Sequence, residues 1–272
     1  MNAVDFSYDG LLLSDFKFII CDFNGSSGID TVSAGSKITF NTVSKNRGRS
    51  YTLTSTQYDE CYTTTFDICK DPDIFETQQE RYITADEYRD IMRWLNRNEF
   101  LKVSFLDEEL DNEPVFYRGS FNVEKIKLAE KLIGFTLTLE TDKPFAYGEE
   151  RIEQWTATSM SLSHMFVDGS DEVGYIYPKL KITCNASGNF TIHNDLTDTT
   201  MAINNCTSGE ILTIDGENQI ITSSISSHKV YEDFNYEFLK IGNDFDNSIN
   251  TITVNRACKV ELSYYPVMKY VS

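Results

Sequence analysis

Residues 82–147 carry the most demanding structural signal in the chain, a capped amphipathic helix followed by strand-like runs. Thr84 and Glu87 have the spacing of a capping box, in which each side chain bonds to the backbone N–H of the other residue at the start of a helix. The apolar residues after this cap recur at i, i+3, i+4 and i+7, namely Tyr88, Ile91, Met92 and Leu95. This spacing places them on one helix face. We therefore predict a helix over residues 85–97 whose apolar face packs on a sheet.

The length and the aromatic content favour two mainly β domains. A chain of 272 residues exceeds the commonest single-domain size. It contains 15 Tyr and 18 Phe but only 2 Trp, and aromatic residues are frequent in strands. We expect residues 1–147 to form a first domain of the β-sandwich or split-barrel type with one α-helix. Residues 148–272 would form the second domain.

Short strand-like runs separated by turn residues are typical of a β-sandwich and predict that fold for the second domain. The predicted strands are 178–184, 190–193, 210–214, 219–222, 236–241, 250–254 and 259–265. The polar residues 148–174 come before these strands, and we interpret them as a connection into the domain.

The charge of the chain excludes some partners. The formal net charge is -18 and the pI is about 4.5, whereas binding to nucleic acid requires clustered Lys and Arg. No apolar run is long enough to cross a bilayer, and the N-terminus lacks the basic and apolar regions of a signal peptide. We therefore expect a protein that is made in the cytoplasm, does not insert into membranes and has no nucleic acid as its main partner.

One segment reverses this acidic character. No acidic residue occurs between Thr31 and Tyr58, and the basic residues there are Lys37, Lys45, Arg47 and Arg49. Strand-like runs at 37–40 and 50–54 flank the middle of the segment, which predicts a hairpin with a basic tip. The tip is either a solvated loop or an arm that docks on an acidic neighbour through charge complementarity.

Catalytic and metal-binding patterns are absent from the sequence. The three histidines, His164, His193 and His228, do not occur in a metal-ligand motif, and neither a nucleophile elbow nor a phosphate-binding loop is present. The six cysteines are scattered and expected to be reduced. Residues 107–113 contain five acids in seven positions but lack the spacing of an EF-hand, which favours a solvated connection over a calcium site. We predict a protein without enzymatic activity or cofactor.

Trp155 has two interpretations. An aromatic face can pack against the apolar side of a sugar ring, so that Trp155 is a candidate for carbohydrate stacking. A lone Trp is also often a packed anchor, here where the two domains would meet.

Several stretches, taken in order, resemble the distal tail proteins of bacteriophages with long, non-contractile tails. They are residues 6–10, the helix 83–95 with its Trp94-Leu95 pair, the run 144–147, residues 209–215 followed by 219–221, and residues 243–254 before a last strand. Together these stretches cover nearly the whole chain.

The resemblance implies a structural virion protein that forms a ring, typically hexameric, at the end of the tail tube. The N-terminal domains would surround a channel through which DNA only passes, and galectin-like C-terminal sandwiches would point outward. The implied partners are further copies of the chain, the tail-tube protein, the tail-tip or baseplate hub protein and receptor-binding proteins. A host-surface carbohydrate-binding module of the tail is the alternative function.

The galectin-like fold does not by itself bring a galectin-type sugar site. Galectins use an H-x-N-x-R run and a W-x-x-E-x-R run on adjacent strands. His193 is followed by Asn194 and Asp195, which does not continue the first pattern, and the residues after Trp155 do not continue the second. We therefore expect no galectin-type lactose site.

Overall fold

The protein folds into two compact units, as a computed structural model of the chain shows. The structure describes residues 4–23, 38–44, 51–58, 60–75, 77, 79–106, 114–158, 162–244 and 246–269. Residues 149–268 form the second unit, and the rest of the chain belongs to the first. Strands dominate both units, which confirms the predicted mainly β fold class.

Among its described residues, the first unit contains one α-helix, a 3₁₀ helix at Ser14–Phe16 and a series of antiparallel strands. The helix is α1 (Ala85–Leu95). The strands are β1 (Asp5–Tyr8), β2 (Leu11–Leu12), β3 (Phe18–Cys21), β4 (Ile38–Ser44), β5 (Tyr51–Tyr58), β6 (Thr63–Lys70), β7 (Leu101–Leu106), β8 (Tyr117–Leu128), β9 (Lys131–Thr141) and β10 (Ala146–Tyr147). Seven of these strands form one sheet in the order β2-β1-β7-β8-β9-β6-β3.

An aromatic core lies between this sheet and α1. The ring of Phe6 stacks on Trp94 at 5.5 Å and contacts the rings of Phe66, Phe105 and Phe121. The indole Nε1 of Trp94 donates a hydrogen bond of 2.9 Å to the carbonyl oxygen of Tyr8. Because this bond satisfies the polar atom of a buried Trp, the helix is fixed over one face of the sheet.

The predicted helix is confirmed, together with its capping box. The Thr84 hydroxyl accepts from the Glu87 N–H, and the Glu87 carboxylate accepts from the Thr84 N–H at 2.8 Å. Ile91 and Leu95 are buried as predicted, whereas Tyr88 and Met92 are only half-buried. The helix ends at Leu95 rather than near residue 97, because the backbone of the next residue leaves the helical region.

A buried lysine ties the helix start to the sheet. The Lys70 ammonium, at the end of β6, lies 2.6 Å from a Glu87 carboxylate oxygen and donates to the carbonyl oxygens of Glu80 and Tyr82. Burial alone would raise the pKa of Glu87, but the hydrogen bonds from Lys70 and Thr84 outweigh it and hold the pKa below its usual value. One buried charge therefore fixes both the helix cap and the segment before it.

The second unit is a β-sandwich with one short helix, α2 (Val230–Asp233). Its strands are β11 (Arg151–Ala157), β12 (Leu162–Val167), β13 (Gly174–Ile176), β14 (Lys179–Cys184), β15 (Gly188–Asn194), β16 (Thr199–Cys206), β17 (Ile211–Asp215), β18 (Ile220–Ser223), β19 (Ile241–Asn243), β20 (Ile249–Val254), β21 (Cys258–Tyr264) and β22 (Val267–Met268). A five-stranded sheet, β11-β21-β14-β17-β18, shares one apolar core with a four-stranded sheet, β12-β20-β15-β16. β13 and β19 form a small ribbon.

The second unit differs from the predicted strands in three places. The predicted connection at 148–174 contains β11 and β12, which bury Trp155 and Phe166. The predicted strand at 236–241 is mostly irregular, because Phe238 and Leu239 are buried without strand pairing. β16 was not predicted, since its threonines and asparagines are also frequent in turns.

Replacing Lys70 by Met should lower the free energy of unfolding of the first unit by about 2–3 kcal/mol, since Glu87 and two carbonyl groups lose their buried partner. Urea unfolding followed by Trp94 fluorescence, in a Trp155→Phe background, measures the change. The matched control is Arg93→Met, which removes an exposed ion pair with Asp90 and should cost less than about 0.5 kcal/mol. Equal effects of the two substitutions would contradict the role of Lys70.

Candidate assembly surfaces

The hairpin of β4 and β5 is the most exposed part of the described structure. Within the described ranges, the two strands pair only with each other. Phe40 is 62% exposed and Leu53 is 53% exposed, and Ile38 and Val43 also face solvent. An isolated two-stranded hairpin is at best marginally stable in water, and exposed apolar clusters are typical of interaction surfaces. The hairpin is therefore a candidate for contact with another chain.

The structure supports the hairpin that carries the basic segment but does not describe its charged residues. Lys37, Lys45, Arg47 and Arg49 lie outside the described residues, as does the acidic segment 107–113. At the base of the hairpin, the ring of Tyr58 contacts Phe145 edge-on at 4.6 Å. The docking of a basic tip on an acidic neighbour stays a prediction. The exposure of the apolar residues on the hairpin was not predicted from the sequence. The sequence did hold one signal of it, because β4 and β5 lack the regular alternation of a strand with one buried face.

A second surface is the side of the seven-stranded sheet that faces away from the aromatic core. Successive residues of a strand point to opposite sides, and the registers of β6, β8 and β9 place polar residues together there. We call this surface the polar face and define it by Thr63, Thr65, Asp67, Asn122, Glu124, Thr136, Thr138 and Glu140.

Hydrogen bonds between neighbouring strands organise the polar face. Asn122 donates to Glu140 at 2.8 Å, Thr136 donates to Asp67 at 2.7 Å, and the hydroxyls of the Thr65–Thr138 pair lie 3.1 Å apart. The defining residues include carboxylates on all three strands and no Lys or Arg. These eight residues therefore form a patch that is rich in hydroxyls and carries negative charge.

Trp155 is packed inside the second unit. Its side chain is only 9% exposed, and its indole stacks on the imidazole of His164 at 4.5 Å. The imidazole is held in place by Glu153, whose carboxylate lies 2.9 Å from His164 Nε2. The indole therefore presents no open face to a sugar ring, and the stacking interpretation of Trp155 loses its support.

Three polar side chains of the second unit are bound to the protein itself. The Asn255 side-chain oxygen accepts from the Thr191 N–H at 2.8 Å. The Arg256 guanidinium donates to the carbonyl oxygens of Asn189 and Ser187. His193, which begins the incomplete galectin run, contacts a neighbouring hydroxyl and Asp195. The absence of a galectin-type lactose site stays a prediction.

A buried polar cluster in the second unit was not predicted. Glu210 is fully buried and accepts hydrogen bonds from Ser223, His228 and the Thr207 N–H, and His228 Nε2 lies 3.3 Å from Asp233. Burial lowers the pKa of His228, but the hydrogen bond and charge of Glu210 outweigh it, and the pKa lies above its usual value. Because Glu210 and His228 are closed to solvent, the cluster stabilises the fold and has no access to a substrate.

Neither a metal centre nor a membrane helix is evident in the part of the chain that the structure describes. Those residues contain no group of three or more His, Cys, Asp or Glu side chains arranged to hold a metal ion. No helix among them is long and apolar enough to span a membrane.

Comparison with known proteins defines the class. A family model described as a phage tail protein N-terminal domain matches residues 1–143, and one described as a phage tail C-terminal domain matches residues 145–264. The SPbeta prophage-derived protein YomH of Bacillus subtilis (strain 168) is 23% identical over 194 residues, which cover 68% of this chain and 71% of that protein.

Two solved structures share the fold. The crystal structure of the SPP1 Dit protein, described as a paradigm of the hub adsorption apparatus in phages that infect Gram-positive hosts, has a TM-score of 0.65 at 13% identity and covers 96% of this chain and 98% of that chain. A chain of the phage P2 baseplate in its activated conformation with Ca has a TM-score of 0.52 at 10% identity and covers 100% of both chains.

The fold and the two family models together show that the chain is a structural protein of the phage tail, and therefore of the virion. The chain belongs to the phage tail protein family whose N-terminal and C-terminal domains these models describe, and its fold is that of a Dit-like protein. The resemblance to distal tail proteins is thereby confirmed.

The Glu210–His228 pair should make the second unit less stable at alkaline pH. A histidine with a raised pKa contributes stability that is complete below its unfolded pKa of about 6.5 and is lost as the pH rises through the folded pKa. His228→Gln keeps a hydrogen-bond donor but does not titrate. It should therefore cost about 1–3 kcal/mol at pH 6 and less at pH 9.

Differential scanning calorimetry at both pH values measures this gap. The control is His193→Gln, because His193 is half-exposed and its replacement should change the stability much less than that of His228. A gap between wild type and His228→Gln that is the same at both pH values would show that the protonated pair is not the source of the stability.

Proposed function

We propose that the protein forms a ring, hexameric as the resemblance implies, that joins the phage tail tube to the tail-tip or baseplate hub. The observation that carries the proposal is the β4–β5 hairpin, which exposes apolar side chains along both strands. A subunit of a closed ring repeats one heterologous contact, and this contact needs two different complementary patches on each copy. The hairpin is one such patch.

The hairpin supports this role by composition as well as by exposure. Phe40 and Leu53 offer apolar area, and Lys37, Lys45, Arg47 and Arg49 add positive charge in a chain whose net charge is -18. An acidic surface on the next copy would attract these residues, so that charge steers the approach and the apolar contacts add affinity. The rest of the chain has more acidic than basic residues and can therefore supply such an acidic surface.

The polar face is the second support, since it fits the lining of a channel. One face of an antiparallel sheet can pack on a core while the other faces water. A surface with carboxylates and hydroxyls repels phosphates rather than binding them, so DNA would pass without being trapped. In this arrangement the first domain, residues 1–147, forms the ring and turns the polar face toward its axis.

The second domain, residues 148–272, is proposed to point outward and to hold receptor-binding components of the tail. The SPP1 Dit protein is described as part of a hub adsorption apparatus, and the phage P2 structure is a baseplate. These descriptions belong to those proteins and support the same class of partner here: the tail-tube protein, the hub protein and a receptor-binding protein. The proposed role is structural, and the chain acts through its surfaces.

The double variant Phe40→Ser/Leu53→Ser should abolish self-association, because the proposed contact loses most of its apolar area. Sedimentation velocity measures the oligomer, and circular dichroism checks that the fold is retained. Ile220→Ser removes an exposed apolar side chain from the second unit and should leave the oligomer unchanged. An oligomer that survives the hairpin variant would contradict the role of the hairpin.

Charge reversal tests the basic tip separately. The triple variant Lys45→Glu/Arg47→Glu/Arg49→Glu should weaken self-association, and association of the wild type should fall as salt is raised, because exposed charges more than about 8–10 Å apart are screened at physiological ionic strength. The control reverses exposed Arg89, Arg93 and Lys259, which is the same change in net charge. If both triple variants weaken association equally, the effect comes from net charge and the tip is not a docking element.

A further inference from the structure

A pocket on the second unit lies between the turn after β15 and the ribbon of β13 and β19. It has a volume of about 220 Å³ and is lined by Gly174, Tyr175, Leu196, Thr197, Lys240, Gly242, Asn243 and Asp244. Tyr175 stands at its rim and is 63% exposed. Its exposed ring borders the pocket, where it could contact a ligand.

The ring of Tyr175 is held in place from one side. The Lys240 ammonium lies 4.9 Å from the Tyr175 ring centroid and 5.9 Å from that of Tyr177. The two tyrosine rings meet edge to face at 6.1 Å. A cation and a second ring therefore fix the orientation of Tyr175, while most of its surface stays open to solvent.

The walls of the pocket are fixed by a buried amide network. Asn194 and Asn250 are fully buried, and the Asn194 side chain donates to the Lys240 carbonyl oxygen and to the Asn250 side chain, each at 2.7 Å. Asn250 bonds both the N–H and the carbonyl oxygen of Gly242. Satisfied buried networks of this kind make the groups they join rigid.

Close packing between the two walls adds to this rigidity. A Cβ atom on Gly242 would lie 2.8 Å from a Thr197 methyl carbon and 3.1 Å from a Leu196 methyl carbon, so a larger residue there would force these side chains to shift. The Asn243 side chain donates to the carbonyl oxygens of Ser170 and Glu172 and fixes the outer end of the ribbon. The pocket is thus preformed, which lowers the cost of binding a ligand.

From this geometry we propose that the pocket is a saccharide subsite in which the exposed face of Tyr175 stacks on one neutral sugar ring. The hydrogens of the Thr197 hydroxyl and the Asn243 amide are bound within the unit, so these side chains present their oxygen atoms as acceptors. Lys240 and Asp244 add one group of each charge sign to the lining. Such a mixture suits the alternating donors and acceptors of sugar hydroxyls and gives no preference for a charged ligand. The lining does not include Trp155, and the site does not depend on ring formation.

Saturation-transfer-difference NMR on the full chain tests the proposal with methyl glycosides of the common hexoses, N-acetylhexosamines and rhamnose as probes. At least one glycoside should receive saturation, mainly on its ring C–H protons. Tyr175→Ala should weaken the binding of that glycoside about tenfold or more, since stacking and apolar contact are both lost. Tyr175→Phe keeps the ring and should bind close to the wild-type affinity.

The matched control is Tyr231→Ala, which removes another exposed tyrosine of the same unit, outside the pocket, and should leave binding unchanged. If no glycoside in the panel receives saturation, the proposal is overturned. Binding that Tyr175→Ala leaves intact would overturn the location, and equal loss in Tyr175→Ala and Tyr231→Ala would show that the contact is not a stacked ring in this pocket. None of these outcomes bears on whether the chain forms a ring.

Discussion

The aromatic column through Trp94 is the contact on which the first unit depends. The indole stacks between Phe16 at 4.5 Å and Phe6 at 5.5 Å, and its N–H is bonded to the backbone of β1. Stacking and hydrogen bonding together fix α1 over one face of the seven-stranded sheet. Because side chains alternate along each strand, the residues between the apolar ones point to the opposite face, and on β6, β8 and β9 many of them are polar. The two faces of one sheet thus provide both the core and the surface that we propose lines a channel.

A protein of the phage tail needs exposed surfaces that can contact other chains. The β4–β5 hairpin has no second layer among the described residues and exposes apolar side chains, an arrangement that stays soluble only if charge opposes non-specific association or a partner covers it. The net charge of -18 supplies the first condition. The proposed neighbour in the ring supplies the second, since a basic hairpin is attracted to an acidic copy while the acidic surfaces repel one another.

Local signals predicted those elements whose stabilising contacts are close in sequence. The capping box of Thr84 and Glu87 and the apolar period of α1 are local, and the helix formed where they place it. Trp94 was outside the predicted apolar face, because its burial depends on β1 and the 3₁₀ helix far away in sequence. In the same way β11 and β12 escaped prediction. They bury few residues, and β12 exposes the apolar residues Met165 and Val167 beside buried Phe166, so no regular alternation of apolar and polar residues marks it as a strand.

The candidate surfaces were harder to predict than the fold. The basic residues of the hairpin stand out in the sequence, but the apolar exposure of Phe40 and Leu53 follows only from the isolation of the hairpin. Trp155 stands out in the sequence because Trp is rare in this chain, but its contact with His164 in the folded unit removes it from solvent. The pocket beside Tyr175 is built by Asn194 and Asn250, whose burial joins distant segments and has no local signature.

Electron cryo-microscopy of the assembled chain tests the central claim most directly, because it reports closure and subunit orientation together. The account predicts a closed ring in which the hairpin of each copy contacts the next copy and the polar face on β6, β8 and β9 lines the central channel. A chain that stays monomeric with and without its tail-tube partner would contradict the account. A ring with the polar face turned outward or buried between copies would contradict it as well.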